Sequence, residues 1–271
     1  MTTKPPIPGL ASSTEFAGDR QFATNLSRGL DVLRAFTPGA PVLGNREIAD
    51  RTGLPKATVS RLTYTLMVLG YLARVEPLQK YRLGAGVLSL GYPLLASMPV
   101  RQLARGRMER LAKQTGCTVN LGMRDRLNVV YIDTCRVDRT NAYQPDIGST
   151  GPLLRMAIGR ALILGSPATE RTAILNRLRV DDPEGFQADA ARWERDARQF
   201  ALRGFCVSRG DWRREVHAVA APIRQPAPQE RVALNCTVSA HRLPARDALE
   251  REIAPQLLEA VRDIEAASGI H

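Results

Sequence analysis

The sequence predicts an α+β protein with a small helical domain followed by a larger domain of antiparallel strands and helices. Three observations carry this prediction. Apolar residues recur at helical spacing through residues 44–72, two short strand-like runs flank Pro77, and longer strand-like runs begin at Cys117. With 271 residues the chain is long enough for two independent cores.

The composition excludes several classes of protein. Hydrophobic residues make up 44% of the chain and charged residues 24%, as in ordinary globular proteins. No run approaches the 18 or more consecutive apolar residues of a membrane span, and no basic start followed by an apolar core opens the sequence. We therefore expect a cytoplasmic protein with no membrane partner.

The N-terminal segment 1–22 is rich in Pro, Gly, Ser and Thr without periodicity, which predicts a disordered tail. A first helix is expected from Leu26, with Ser27 as its N-cap and an end at Thr37-Pro38-Gly39. The winged domain described next is then expected to span 23–84.

A helix–turn–helix is predicted around Gly53. A short helix runs from about Asn45 to Thr52, Gly53 takes the left-handed turn position, and Pro55 suits the first turn of a second helix. That helix runs to about Leu69 and carries one apolar face, formed by Val59, Leu62, Leu66 and Leu69. The strand-like runs 71–74 and 80–83 then form a β-hairpin, which completes a winged helix–turn–helix.

A helical stretch that Pro93 and Pro99 interrupt is expected over 86–114, and a linker helix is assigned to 85–100. The second domain, 101–271, is expected to hold antiparallel strands with interspersed helices. The expected strands are 117–123, 128–135, 205–208, 216–223 and 231–239, and the expected helices are 154–164, 168–179, 188–202 and 246–267.

The charge of the chain favours an anionic partner. Residues 20–84 carry ten basic and four acidic side chains, a net +6 over 65 residues, whereas 85–271 carry 27 and 21, the same excess over 187 residues. The excess is thus about three times denser in the N-terminal domain, which together with the helix–turn–helix and the hairpin predicts binding to double-stranded DNA. A helical hairpin that contacts protein, with solvated surface charges, is the alternative interpretation.

Side chains left off the apolar face of the second helix are free to read DNA. Arg61 can bond guanine bidentately or hold a phosphate, and Lys56 at the helix start suits a phosphate. The predicted DNA-binding residues are Lys56, Thr58, Ser60, Arg61 and Tyr64 on the helix and Arg74, Lys80 and Arg82 on the wing.

Catalytic and metal sites are not expected. The four cysteines form no C-x-x-C pair and have no histidine at metal-ligand spacing, and neither a phosphate loop nor G-x-S-x-G is present. We expect reduced cysteines that pack as small apolar residues, no metal, no cofactor and no enzymatic activity. His217, within a predicted strand, is interpreted as a surface or half-buried residue.

The chain resembles the IclR family of bacterial transcription regulators. The resemblance rests on LSRGLDVLRAF, REIADRTGLPKATVSRLTYTLMVLGYL and YRLGAGVLSLG in the first domain, and on RMAIGRALILG (155–165) and GFCVSRGDWRREVHAVAAPIR (204–224) in the second. Asp211 stands where the family usually has Glu, and Arg224 and Gln225 also depart from its pattern. These departures leave the predicted fold unchanged.

The resemblance implies a GAF-like sensor domain in which a small organic effector, often a carboxylate or aromatic catabolite, sits against a curved antiparallel sheet. It also implies a homodimer or homotetramer, dimer contact through the linker helices, and a palindromic operator. Cys236 and Val238 alternate along one strand, so both are expected to face one cavity. The implied effector-binding residues are Tyr143, Met156, Ala157, Ile158, Gly159, Asp211, Ala220, Cys236 and Val238, with Ala142 and Ala218 beside them.

We therefore predict an effector-responsive transcription regulator, repressor or activator. Two alternatives remain at this point: a DNA-binding protein whose second domain only oligomerises, and a small-molecule enzyme with a DNA-binding appendage.

Overall fold

Two compact units make up the computed structural model of the chain. The first unit comprises Ala11–Ser97. The second comprises Met1–Leu10 together with Met98–His271. The structure describes residues 9–10, 13–16, 18–137, 144–226, 230–243, 245 and 247–270. Parts of the predicted tail 1–22 therefore lie outside the described residues. Within that segment, Leu10 is buried in the core of the second unit, and Ser13–Phe16 forms a 3₁₀ turn.

The first unit is a winged helix–turn–helix, as predicted. Three helices precede a two-stranded antiparallel hairpin, and a fourth helix follows it. The elements are α1 (Thr24–Arg34), α2 (Asn45–Thr52), α3 (Lys56–Val68), β1 (Leu72–Val75), β2 (Lys80–Leu83) and α4 (Ala85–Ala96).

The turn between α2 and α3 forms as its residues require. Gly53 ends α2 with φ at +68°, a left-handed conformation that a glycine adopts without steric cost, and Pro55 caps α3. The Thr63 hydroxyl, fully buried in α3, bonds Asn45 Oδ1 of α2 at 3.3 Å. The two helices share a core with α1 and the hairpin, formed by Val32, Phe36, Leu43, Ile48, Val59 and Leu72.

Two local predictions in this unit are wrong. Helix α1 begins at Thr24, without a side-chain cap, so Ser27 lies inside the helix and does not start it. Helix α4 continues through Pro93, which was expected to interrupt it. Pro93 leaves the carbonyl four residues earlier, on Ser89, without its helical donor, and Ser89 is exposed, so water can bond that oxygen.

The second unit is built on a six-stranded antiparallel sheet with the order β5-β4-β3-β8-β7-β6. Its strands are β3 (Thr118–Asp125), β4 (Asn128–Cys135), β5 (Thr150–Pro152), β6 (Cys206–Arg209), β7 (Val216–Ile223) and β8 (Val232–Ser239). Its α-helices are α5 (Pro99–Thr115), α6 (Ala157–Leu164), α7 (Ala168–Asp181), α8 (Pro183–Arg203) and α9 (Ala254–Ala267).

Helices cover both faces of this sheet. Helix α6 packs on one face, against Tyr131, Ala218 and Ala233, while α5 and α9 contact the sheet and each other. All eight residues of β8 are buried, as expected for a central strand covered on both sides. This architecture confirms the predicted α+β class with an antiparallel C-terminal sheet.

Elements of this unit differ from the prediction at several places: strand β5 was not expected, and α6 begins at Ala157 instead of residue 154. Helix α8 begins at Pro183, five residues before the predicted start, because the Asp182 carboxylate caps it by accepting from the backbone N–H of Gly185 at 2.9 Å. A π-helical turn, Leu249–Ile253, precedes α9. No helix among the described residues has the length and apolarity needed to span a bilayer.

Candidate functional site

Helix α3 presents a continuous exposed stripe. Val59 and Thr63 face the core, so Lys56, Ser60, Arg61 and Tyr64 point to solvent on the other side. Thr58 is half-buried and, like Arg61, lines the groove between α1 and α3, at the edge of this stripe. The structure thus brings together four of the five predicted α3 residues on one surface.

The cations of this surface are available to an external anion. Lys56 and Arg61 make no ion pair with any described residue. Arg46, in the first turn of α2, is likewise exposed and forms no ion pair within the described part of the chain. Sequence analysis missed Arg46, although a basic residue at the start of the first helix of the motif was a usable signal.

The three cations of the wing lie on two different faces of the hairpin. The hairpin register pairs Arg74 with Tyr81 and Arg82 with Ala73, so Arg74 lies on one face while Lys80 and Arg82 lie on the other. Arg74 pairs with Glu76 at 2.8 Å. Arg82 is exposed and has no ion-pair partner among the residues described.

Lys80 is engaged within the fold. Its Nζ lies 2.9 Å from Glu47 Oε2, and that carboxylate also accepts the backbone N–H of Gly44 at 2.7 Å. The Gly44 N–H, followed by the Lys80 ammonium, lowers the pKa of Glu47. Lys80 therefore joins the wing to the start of α2, in addition to any contact it makes with DNA.

A small cavity lies at the N-terminus of α6 in the second unit. Its volume is about 20 Å³, room for about one water molecule. Met156, the N-cap of α6, and Ala157, its first residue, form one wall. The other lining residues are Tyr131, Ser208, Trp212, Arg213, Val216, Ala218, Asn235 and Thr237.

A buried polar network underlies this cavity. Asn120 donates to Asn235 Oδ1 at 2.9 Å and accepts from the Thr134 hydroxyl at 2.8 Å. Asn235 accepts this bond with its Oδ1, and its amide NH₂ has no hydrogen-bond partner among the described residues. The Ser208 hydroxyl has none there either. Both side chains line the cavity and can serve a polar ligand.

Ile158 and Gly159 occupy tightly packed positions in the core. A Cβ on Gly159 would lie 1.8 Å from the Leu153 carbonyl oxygen, so no larger residue fits there. Ile158 is fully buried, with its Cδ1 2.9 Å from where a Cβ on Gly122 would be. Of the predicted residues at α6, Met156 and Ala157 line the cavity, whereas Ile158 and Gly159 pack beneath it.

Cys236 and Val238 do not line this cavity, contrary to the expectation that they face it. The register places Ala218 opposite Thr237 and Ala220 opposite Asn235, so the odd-numbered residues of β8 share the face of α6. Cys236 and Val238 therefore lie on the other face, where the Cys236 thiol contacts that of Cys117. Ala220 is on the cavity side, buried in the core next to it. The predicted residue Tyr143, with Ala142, lies outside the described residues.

Asp211 belongs to a charge network around Arg160. The Arg160 side chain is fully buried, with Nε 2.6 Å from Asp196 Oδ2 and Nη2 3.0 Å from Asp211 Oδ2. Arg192 lies 3.2 Å from the other oxygen of Asp211. Burial raises the pKa of Asp196, and the Arg160 guanidinium opposes that rise. The Asp211 carboxylate is therefore occupied by two arginines.

The cysteines and possible metal ligands of the described residues form no reactive cluster. The four cysteines are free and buried, and burial raises the pKa of Cys135 to about 11. Among the described residues, no three His, Cys, Asp or Glu side chains cluster as metal ligands.

Comparison with protein-family models finds a match for each of the two parts of the chain. Residues 93–266 match the family model for the bacterial transcriptional regulator IclR C-terminal domain, and residues 25–76 match the IclR helix-turn-helix domain. The chain belongs to the IclR family. It is thus a transcriptional regulator with a helix–turn–helix DNA-binding domain and a C-terminal effector-binding domain.

Relatives of this IclR-family protein are similar along most of their length. The HTH-type transcriptional regulator TsaQ1/TsaQ2 of Comamonas testosteroni is 34% identical over 89% of this chain and 87% of its own. The Pca regulon regulatory protein of Pseudomonas putida is 29% identical over 92% and 85%.

Solved structures show the same fold. The crystal structure of an IclR family transcriptional regulator from Brucella abortus is 40% identical, with a TM-score of 0.86 over 97% of this chain and 99% of that one. An IclR homologue from Microbacterium hydrocarbonoxydans complexed with 4-hydroxybenzoate shares the fold at 21% identity, with a TM-score of 0.65 over 89% and 98%.

Proposed function

We propose that this regulator binds a palindromic operator through α3 and the wing and senses a small organic acid in the cavity beside α6. The exposed stripe of α3 carries the DNA part of the proposal, because its cations form no ion pair among the described residues and its opposite face packs into the core. We assign DNA binding to 23–84, the link to 85–100, and sensing and oligomerisation to 101–271, in a protein of the cytoplasm.

Each residue of the stripe has a role that follows from its position. Arg61, midway along α3, is placed to donate two bonds to guanine O6 and N7 in the major groove. Lys56, at the helix start, is placed over the phosphate backbone. Thr58, Ser60 and Tyr64 add hydrogen bonds at the edges, and Arg74, Lys80 and Arg82 of the wing meet the backbone or the minor groove.

A homodimer is the assembly that we propose. Helix α4 buries none of its residues, and it exposes Leu88, Leu90, Tyr92 and Leu94. Apolar surface of this extent favours burial against a second copy, whose two-fold axis matches a palindromic site. A tetramer is the alternative assembly.

The effector that we propose is an aromatic or short-chain carboxylate. No side chain among the described residues caps the α6 N-terminus, so its N–H groups and dipole favour an anion next to Met156 and Ala157. The amide of Asn235 and the hydroxyl of Ser208 are further donors, while Tyr131, Val216 and Ala218 supply apolar walls. The fold relative crystallised with 4-hydroxybenzoate supports this class of ligand.

Selection of DNA sites in vitro with the full-length chain tests operator binding. Arg61→Ala is expected to weaken the selected site by about 1–3 kcal/mol and to relax one symmetric base-pair position in each half-site. Lys56→Ala is the matched control, which is expected to weaken all sites without changing base preference. An unchanged sequence preference in Arg61→Ala would contradict the base-reading role.

Calorimetry of the full-length chain with 4-hydroxybenzoate and pyruvate tests sensing. Saturable binding with a shift in operator affinity is the expected result, since a ligand switches a protein through its differential affinity for two states. The 20 Å³ cavity favours a second candidate, a DNA-binding protein whose C-terminal unit only oligomerises. That candidate predicts no change in operator affinity with any organic acid.

A further inference from the structure

A second cavity lies at the corner between α7 and α8. Its volume is about 160 Å³, against about 20 Å³ for the cavity beside α6, and the two share no lining residue among those described. An apolar cavity of about 150 Å³ holds a benzene ring. This corner cavity therefore has room for one aromatic ring, whereas the cavity beside α6 has room for about one water molecule.

The walls of the corner cavity are largely apolar. Leu127 in the β3–β4 turn, Pro152 of β5, Leu178 of α7 and Phe186 of α8 all line it and are half-buried. The Phe186 ring already attracts one cation, since Arg179 Cζ lies 4.8 Å from its centroid. Half-buried apolar side chains around an unfilled space lose contact with water when a ring enters, which favours a small ligand with an apolar body.

Acidic side chains line the same space. Asp181 and Asp182 are exposed at the end of α7, whereas Asp189 of α8 is buried. Arg155 is the one cation among the described lining residues, and its Nε lies 2.9 Å from Asp189 Oδ2. The other oxygen of Asp189 lies 2.9 Å from Arg192. Both oxygens of the buried acid are thus bound by arginines, and the two exposed acids lie at the mouth of the cavity.

The two carboxylates at the mouth can accept further hydrogen bonds. Asp182 Oδ1 accepts the Gly185 N–H at 2.9 Å, and this carboxylate forms no ion pair with any described residue. Asp181 pairs with Arg177 at 2.8 Å. A carboxylate offers about four acceptor positions, so neither is saturated by these contacts. Helix α7 ends at Asp181, and the negative end of its dipole also favours a cation at this corner.

We propose that the corner cavity is a second small-molecule site and that its ligand is an organic ammonium ion with a single aromatic ring. The ring packs against Leu178 and Phe186, and the ammonium donates charge-assisted hydrogen bonds to Asp182 and Asp181 at the mouth. A carboxylate of the same size meets these acids and is repelled. The inference goes beyond the proposed function and does not rest on sensing in the cavity beside α6.

Calorimetry of the full-length chain with benzylamine and benzyl alcohol tests the class of ligand. Both carry one ring, but only benzylamine is a cation at neutral pH. Benzylamine is expected to bind saturably, about 3–5-fold more tightly than benzyl alcohol, which is the effect that an exposed ion pair supplies. An excess of benzoate is expected to leave benzylamine binding unchanged. Absence of benzylamine binding, equal affinities for the two compounds, or displacement of benzylamine by benzoate would each overturn the proposal.

The full-length Asp182→Asn variant tests the contact at the mouth. Asparagine caps a helix as well as aspartate does, so this change removes the charge and keeps the start of α8. It is expected to weaken benzylamine binding by about 3–5-fold and to leave benzyl alcohol binding unchanged. Glu184→Gln is the matched control, because Glu184 is an exposed acid in the first turn of α8 that is not among the lining residues. Equal benzylamine affinities in these two variants would overturn the proposal.

The full-length Leu178→Trp variant tests the location of the ring. The larger side chain fills the corner cavity, so binding of both benzylamine and benzyl alcohol is expected to be lost. Benzylamine bound as tightly as by the wild type, in a variant with a native circular dichroism spectrum, would overturn the proposal. If Leu178→Trp does not fold, Asp182→Asn and its control decide the outcome, because neither change alters the core.

Discussion

Arg160 and Asp196 form an ion pair from which water is excluded. Their Nε and Oδ2 atoms are 2.6 Å apart, and the two side chains are 0% and 4% exposed. The other Arg160 N–H groups donate to Asp211 and to backbone carbonyls of Leu154, Arg155 and Val207. One side chain thus ties the start of α6 to α8, β6 and the link that carries Trp212.

Loss of Arg160 is expected to destabilise the second unit severely. Arg160→Met leaves the Asp196 and Asp211 carboxylates without this partner, and breaking a buried pair costs about 3–5 kcal/mol. Urea unfolding followed by tryptophan fluorescence reports this unit, since Trp193 and Trp212 both lie in it. Arg198→Met is the control, because the Arg198–Glu194 pair is 72% and 63% exposed and such pairs contribute about 0–1 kcal/mol. Equal losses in the two variants would contradict the structural role of Arg160.

Gly159 and Gly106 are expected to respond oppositely to alanine. A Cβ on Gly159 meets the Leu153 carbonyl oxygen at 1.8 Å, so Gly159→Ala must shift the backbone and is expected to cost about 1–3 kcal/mol or more. Gly106 lies within α5 with nothing near its added Cβ, and Gly106→Ala is expected to stabilise by up to about 1 kcal/mol. The same urea experiment measures both. A Gly159→Ala protein as stable as the wild type would show that this close approach is relieved at no cost.

The sequence predicted the first unit better than the second, for physical reasons. Helix α3 is half-buried, so its 3.6-residue apolar period reveals which side chains face out. Strand β8 is buried on both faces, so no period distinguishes Cys236 from Asn235, and the sequence does not reveal which of them faces the cavity beside α6. The Arg160–Asp196 pair joins residues 36 positions apart, a contact that no local pattern reports.

The ion pair between Lys80 and Glu47 predicts that two wing cations contribute differently to DNA binding. Each phosphate contact changes the slope of log affinity against log salt by about 0.9. Arg82 has no ion-pair partner among the described residues, so Arg82→Ala is expected to reduce the slope by about that amount per bound subunit. Lys80 is paired with Glu47, so Lys80→Ala is expected to change the slope less. Equal slopes in the wild type and Arg82→Ala, measured between ~50 and ~200 mM salt, would show that Arg82 does not contact a DNA phosphate.

His217 is expected to make the second unit less stable in mild acid. Burial, followed by the charge of the neighbouring Arg209, lowers the pKa of His217 below its ordinary value of 6.5, although Asp211 acts in the opposite direction. A histidine with a lowered folded-state pKa contributes stability above its unfolded pKa and loses it as the pH falls through the folded one. The free energy of unfolding, measured in urea, is therefore expected to fall as the pH drops from about 6.5, and His217→Gln is expected to flatten this decline. Above pH 7 the imidazole is neutral in both folded and unfolded chains, so the two proteins should show the same pH dependence there. Parallel curves from pH 7.5 down to pH 5 would show that His217 is as easily protonated in the fold as in water.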